Sequence, residues 1–257
     1  MSEVATSDLP RLPPAYRLVA LETCESTNSE AMSRAEEGAE DGTLVWAREQ
    51  TKGRGRRGRA WQGLPGNLYF SLVLRPDCSP QHAAQLGFVA ALALGDAIGS
   101  VAPPMIEVQF KWPNDVLLNG RKAAGILLES KILEGELDWL VLGIGVNVAA
   151  YPQDLEPPAT SLHFEGAPDD VTAVRLLEAF ARHFMSRANR WLDDGFAPIR
   201  RDWKYHAYGL GEAIGVDLAA RRVEGRFKDL DENGALIVEL PDGGTLSVAA
   251  GDVYRIG

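Results

Sequence analysis

Residues 52–61 read KGRGRRGRAW, and the reading of this segment separates three architectures. Five of the eight residues 52–59 are cationic, while the whole chain of 257 residues carries a formal charge of -10, so the cluster is a local feature. Residues 53–58 satisfy the GxGxxG pattern of dinucleotide-binding folds. That pattern works because small residues let a helix N-terminus approach a pyrophosphate. Here every intervening residue is arginine, and the following AWQGLPGN cannot open a helix, so the Rossmann reading fails on context. A DNA-gripping arm is the second reading, since arginines among glycines suit phosphate contact. The acidic remainder of the chain and the lack of a helix-turn-helix ahead of Arg17 count against it. The third is a solvated surface loop. Against that stand the ordering entropy of three glycines and the mutual repulsion of five cations. The reading preferred is a clamp that orders around a small-molecule phosphate or carboxylate.

Composition narrows the class. At 46% hydrophobic residues the chain can bury a sizeable core. Its N-terminus, MSEVATSDLPRLPP, has neither a basic nor an apolar signal region, and no apolar run approaches the roughly 18 residues of a membrane span, which predicts a cytoplasmic protein without membrane contact. Cys24 and Cys78 are expected as reduced thiols. The four histidines show no zinc-binding spacing.

Outward from the basic segment, 44–49 and 67–74 read as the strands it bridges. Residues 17–22 form a strand before them, and Thr27-Asn28-Ser29-Glu30 has the form of a capping box opening a helix that stops near Gly38. An Ala-rich stretch, 80–98, is a core helix. Strands follow at 107–111, 116–118, 122–129 and 137–148, with Asn119-Gly120 as a two-residue hairpin turn. Residues 170–192 form a long amphipathic helix. From about Glu212 short alternating segments separated by Asp-Glu-Asn-Gly and Asp-Gly-Gly turns predict a small all-β unit that leans on the larger one.

Several polar residues lie where the clamp would need them. Lys111-Trp112-Pro113-Asn114-Asp115 places a cation, an amide and a carboxylate about a turn, although a plain Asn-Asp turn explains the last two alone. Lys122 precedes Ala123-Ala124-Gly125-Ile126-Leu127, and a lysine at the rim of a buried strand needs a counter-charge or a ligand. Gly143-Ile144-Gly145-Val146-Asn147 suggests close approach to a strand backbone. Ser26, Thr27 and Asn28 cluster at a helix start, where capping accounts for one or two of the three.

These blocks, with Glu25-Ser26-Thr27-Asn28 and Gln50 to Trp61, resemble in order those of the bacterial biotin–protein ligases, from about Pro14 to the end. The resemblance implies an α+β fold: a biotin/lipoate ligase-like catalytic domain of mixed sheet and flanking helices at 15–208, after a flexible leader at 1–14, and a small SH3-like β domain at 209–257. It implies that Ser26, Thr27, Asn28 and Gln50 bind the biotin ureido ring, with Arg54, Gly55, Arg56, Trp61, Lys122 and Gly125 completing the biotin site. Arg56, Arg57, Lys111, Asn114, Lys122 and Asn147 are the expected ATP and adenylate ligands. Catalytic roles are expected for Lys122, Arg54, Arg56 and Asp115. The adenine-covering segment corresponds to 159–162 without a neighbouring tryptophan, and the adenine contacts stay open. With about 16 residues ahead of the first strand, the chain resembles the monofunctional class rather than the repressor class.

The implied reaction forms biotinyl-5′-AMP from biotin and ATP, then transfers biotin to a lysine of a biotin carboxyl carrier domain of a carboxylase. Fixed cations offset the repulsion of carboxylate and phosphate. Mg²⁺ is expected with ATP and without a dedicated protein site. Trp61 is expected as an apolar wall, and the glycine-rich segment as a lid that is disordered until ligand binds. A homodimer paired through a strand at 140–148 is possible. The alternatives are a lipoate or other acyl ligase on the same fold, and a nucleic-acid-binding regulator.

Overall fold

A computed structural model describes residues 9–153, 155–218 and 221–256. The chain begins with β1 (Arg17–Cys24), α1 (Thr27–Glu36) and β2 (Thr43–Gln50), and β1 and β2 pair in parallel. The basic segment follows as two short strands, β3 (Gly53–Arg54) and β4 (Ala60–Trp61), joined by a tight turn at Arg56–Gly58. Next come β5 (Leu68–Leu74), α2 (Pro80–Ala83), α3 (Leu86–Val101), β6 (Val108–Lys111), β7 (Asp115–Leu118), β8 (Arg121–Leu133) and β9 (Glu136–Val146). Helices α4 (Ala173–Asp194) and α5 (Phe196–Tyr205) close this part of the chain. One seven-stranded sheet, ordered β1-β2-β5-β9-β8-β7-β6, organises it. The remainder is a five-stranded antiparallel sheet built from β10 (Ala213–Asp217), β11 (Arg222–Leu230), β12 (Leu236–Glu239), β13 (Thr245–Val248) and β14 (Asp252–Arg255).

Strand alternation gives the large sheet two dissimilar faces. Leu44, Trp46, Leu68, Phe70, Leu142 and Ile144 face the main core with α3 and α4. Val45, Ala47, Val73 and Val141 face a smaller cluster closed by Ala31 and Ala35 of α1. Helix α3 is buried nearly all round, which explains why its apolar residues show no one-sided stripe. The apolar stretch that reads as one helix breaks at Ala84–Gln85, where the backbone switches to i→i+3 bonding and Gln85 Oε1 accepts a 2.8 Å bond from Trp191 Nε1. By length and composition Pro80–Val101 could cross a membrane, contrary to the sequence reading, but 61% of its apolar window is buried, as in a core helix.

Three further expectations are revised. Helix α1 has no capping box: Ser26 is the N-cap, its Oγ accepting from Ser29 N, and Glu30 pairs with Arg34 instead. The leader is not free from residue 9 onward: Leu9 and Leu12 pack on the core, and Arg11 N donates to Glu178 of α4 at 2.7 Å. Strand β9 is central, bonded to β5 and β8 on its two sides, so it offers no edge for pairing between subunits. The outer side of β6 is covered as well, because Phe110 N donates to His206 O and Phe110 O accepts from Tyr208 N.

The small sheet docks through specific groups. Trp112 Nε1 donates to Gly234 O at 3.0 Å, and Gly234 (φ +86°) lies so close to Phe88 that an added Cβ would stand 2.6 Å from the ring. Lys204 of α5 pairs with Asp229 at 2.7 Å. Both thiols are free, and burial pushes that of Cys24 up to about 11.

Candidate active site

The site lies on the α1 side of the large sheet, where glycines remove side chains from the surface. Gly125 pairs with Gly145 across β8 and β9, and Gly143 lies two residues along on the same face. Neighbouring groups fill the vacated space. A Cβ on Gly143 would stand 1.7 Å from Asn28 Oδ1, and one on Gly145 would stand 2.7 Å from the Trp61 indole. On Gly125 it would meet the same ring at 3.0 Å. Trp61 therefore lies over two glycines and forms one wall of the cleft.

At one end of the cleft is a buried polar network. The Thr27 amide donates to Gln50 Oε1 at 2.8 Å, and the Ser71 hydroxyl donates to Asn28 Oδ1 at 2.6 Å while lying 2.8 Å from Thr27 Oγ1. Asn28 Nδ2 donates to Glu129 Oε2 at 2.9 Å, and Glu129 also pairs with Arg54. With Oε1 spent on Thr27, Gln50 retains its Nε2 donor for a ligand, beside Gly53.

The other end is cationic. Strands β6 and β7 form a hairpin whose turn, Trp112-Pro113-Asn114, contains a cis Trp112–Pro113 bond. Asn114 ties the turn to β8, its Nδ2 donating to Ile126 O at 2.7 Å. Lys111 and Asp115 face each other across the hairpin, so Asp115 opens β7 rather than sitting within the turn. Strict alternation would put Lys122 on the opposite face from Gly125. A bulge at Ala123, where the β7–β8 register shifts between Val116 and Leu117, returns it to the cleft. There Lys122 Nζ meets Asp115 Oδ1 at 2.7 Å and lies 5.6 Å from the centre of the Trp61 ring. Burial lowers the Lys111 ammonium below the usual lysine range, partly offset by Asp115. Burial likewise lowers the Arg56 guanidinium.

The two ends share one cleft of about 340 Å³, within the roughly 300–1,000 Å³ of small-molecule sites. Among the described residues, five cationic side chains line it, those of Arg54, Arg56, Arg59, Lys111 and Lys122, against the carboxylates of Asp115, Glu156 and Asp252. The sequence-predicted residues converge here: Ser26, Thr27, Asn28, Gln50, Gly55, Trp61, Asn114, Gly125 and Asn147 line the same cleft. Arg57 does not. Its φ of 55° and that of 73° at Gly58 turn it outward to Asp252, and Arg59 takes its place in the wall. Asn147 lines the cleft, but its Nδ2 is used to hold Thr160 O at 2.9 Å. That bond fixes the 159–162 segment beside Lys122, whose carbonyl accepts from Thr160 N.

Ser71, Glu129, Arg59 and Asp252 were not anticipated. A serine in the apolar strand LYFSLVL was a usable signal for Ser71. Asp252 lies 193 residues from Arg59 in sequence, and no local pattern announces that contact.

Amides and hydroxyls at one end, fixed cations at the other and a tryptophan wall between them give a cleft whose chemistry suits a small acid beside a phosphate-bearing group. The model of the biotin/lipoate A/B protein ligase family matches residues 57–205, and that of the biotin protein ligase C-terminal domain matches 209–255. The biotin–[acetyl-CoA-carboxylase] ligase of Paracoccus denitrificans is 44% identical over 231 residues, covering 88% of this chain and 95% of that protein. A biotin protein ligase from Aquifex aeolicus, solved with biotin and ATP, superposes with a TM-score of 0.79 at 27% identity, over 93% of this chain and 99% of that one. The Leishmania major ligase bound to biotinyl-5-AMP superposes with a TM-score of 0.64 at 25% identity, over 93% and 100% of the two chains. The chain belongs to the biotin/lipoate A/B protein ligase family, and within it to the biotin protein ligases.

Proposed function

We propose that this protein uses Mg·ATP to activate biotin as biotinyl-5′-AMP and then transfers the biotinyl group to a lysine of a biotin carboxyl carrier domain. The observation that carries the reading is the junction, in one cleft, of the Ser26–Asn28 and Gln50 network with the Lys111, Lys122 and Arg56 cations. A ureido ring presents one carbonyl acceptor and two N–H donors, which hydroxyl and amide side chains can match. The apolar body of the ligand would lie along Trp61 and the glycine-bared strands.

In the first step the biotin carboxylate attacks the α-phosphorus, the bond to the β-phosphate oxygen breaks, and pyrophosphate leaves with the charge. Lys122 would hold the carboxylate and α-phosphate together, with Arg54 and Arg56 closing over the product. Lys111, Asn114 and Asn147 would border the nucleotide. Mg²⁺ is assigned to the nucleotide substrate, because this ion keeps several waters and binds through phosphate oxygens with one or two protein carboxylates. In the second step a neutral lysine amine attacks the acyl carbon and AMP leaves. Asp115 would orient the amine or take its proton, although its bond to Lys122 links it to both steps.

The reading places residues 15–208 as the catalytic unit, 209–257 as its β appendage, and the protein in the cytoplasm. Glu129 and Asp252 already pair with Arg54, Arg56, Arg57 and Arg59, an arrangement that disfavours a DNA grip. The test is incubation with Mg·ATP, biotin and a purified carrier domain, followed by intact-mass analysis. One biotinyl mass on one carrier lysine is expected. An unmodified carrier beside a control ligase that labels it would refute the proposal.

A further inference from the structure

The basic segment is held from two sides, and the two attachments divide its arginines. Arg54 is tied to Glu129 on β8, within the large sheet. The other three are gathered on one carboxylate, that of Asp252, the first residue of β14 in the small sheet. Arg59 Nη2 lies 2.9 and 3.0 Å from its two oxygens, Arg57 Nη1 lies 3.1 Å from Oδ2, and Arg56 Nη1 lies 3.6 Å from Oδ1. Backbone carbonyls of the small sheet take part too: Arg56 Nη1 donates to Gly251 O at 3.2 Å and Arg57 Nη2 to Asp217 O at 3.5 Å. Three guanidinium groups within four residues repel one another, so the folded turn needs an anion at their centre before any phosphate arrives. Asp252 supplies it, from a sheet about two hundred residues further along the chain.

We propose that Asp252 is a positioning residue for the nucleotide half of the site: it latches the arginine lid to the C-terminal sheet and so presents Arg56 to the triphosphate in advance. This rests on the ligase reading above. It also gives the small β unit a part in the reaction. The lid is then asymmetric. Arg54, tied to Glu129 and to Ser29 Oγ, belongs to the acid-binding end, whereas Arg56 and Arg59, tied to Asp252, belong to the phosphate end. Without the latch, closing the lid must be driven by the nucleotide, which weakens ATP binding and lets the adenylate escape sooner, while binding of the free acid is little affected.

The experiment compares wild type with Asp252→Asn, which keeps the shape and removes the charge, and with Asp252→Glu, which restores it. Limited trypsin digestion without ligands needs no enzymatic activity and reads the lid alone. Cleavage between 54 and 59 should accelerate about fivefold in the Asn variant, the scale of a partly exposed charge network. The Glu variant should cleave at close to the wild-type rate. High salt should accelerate wild type more than the Asn variant, which keeps the Arg54–Glu129 ion pair but loses those to Asp252. In steady state the Asn variant should show a KM for ATP raised severalfold with KM for biotin within twofold of wild type. An unchanged or lowered KM for ATP, or equal cleavage of all three proteins, would overturn the proposal. Wild type that forms no biotinyl adenylate would instead refute the ligase reading, with the trypsin comparison still deciding the latch.

Discussion

Lys122 Nζ and Asp115 Oδ1 lie 2.7 Å apart, and the contact exists because a one-residue bulge at Ala123 turns Lys122 onto the face that Asp115 and Gly125 share. One ion pair thus joins a group assigned to activation with a group assigned to transfer. Replacing Lys122 with alanine should lower biotin-dependent pyrophosphate release about 10²–10³-fold, the usual scale for losing a preorganised charge in a reacting site. Asp115→Ala should slow both steps, because it also frees Lys122. Single-turnover transfer from preformed adenylate isolates its second role, and a wild-type rate there would remove Asp115 from the transfer step.

The polar end of the cleft depends on an absent side chain. Gly143→Ala would place a methyl group 1.7 Å from Asn28 Oδ1 and displace the amide from its bonds with Ser71 and Glu129. Biotin affinity measured by calorimetry should fall at least about tenfold, the equivalent of 1.4 kcal/mol. Ser71→Ala should give a smaller loss through the same network. Full affinity in Gly143→Ala would show that Asn28 does not touch the ligand.

The alkaline limb of the ATP dependence should belong to Lys111. Because burial lowers its pKa from the ordinary 10.5, the ammonium loses its proton at a lower pH than a free lysine does. Its contribution to phosphate binding is then complete on the acid side and fades as pH rises through that lowered value. KM for ATP should climb accordingly. In Lys111→Arg the guanidinium stays protonated, so the climb should shift to higher pH or vanish. Superimposable profiles would assign the limb elsewhere.

Arg56 sits between the lid and the cleft, held by Asn114 Oδ1 at 3.3 Å and Gly251 O at 3.2 Å. Arg56→Gly should release the activated acid before a carrier docks, so lysines on a bystander protein such as serum albumin become biotinylated. The readout is streptavidin blotting alongside adenylate retention on gel filtration. Unchanged retention with no bystander labelling would contradict the lid role.

Much of the fold is legible in local pattern. The strands flanking the basic segment, the Asn119-Gly120 turn (φ 48° and 77°) and the five-stranded C-terminal unit lie where alternation and turn residues put them. What escaped was set by longer-range packing. Helix α5 presents only Phe196, Ile199 and Trp203 to the core, too short a stripe to stand out behind Gly195. The central position of β9 depends on pairing order, which the glycines in its sequence do not encode. In the site, residues within contiguous blocks were readable, Asp115 among them, whereas the anions that hold the basic segment were not. Glu129 and Asp252 look like ordinary surface carboxylates until the chain brings them to Arg54 and Arg59. The folded form of the lid, a short hairpin with its cations paired to these carboxylates, was for the same reason not legible.

The central claim is that the polar end of this cleft selects biotin and the cationic end activates it. The most direct measurement is mass spectrometry of the acyl-adenylate after incubation with Mg·ATP and equal amounts of biotin, lipoate and octanoate. Biotinyl-5′-AMP, retained by the protein and absent with Lys122→Ala, is the predicted result. Lipoyl- or octanoyl-adenylate in place of the biotinyl product would contradict it.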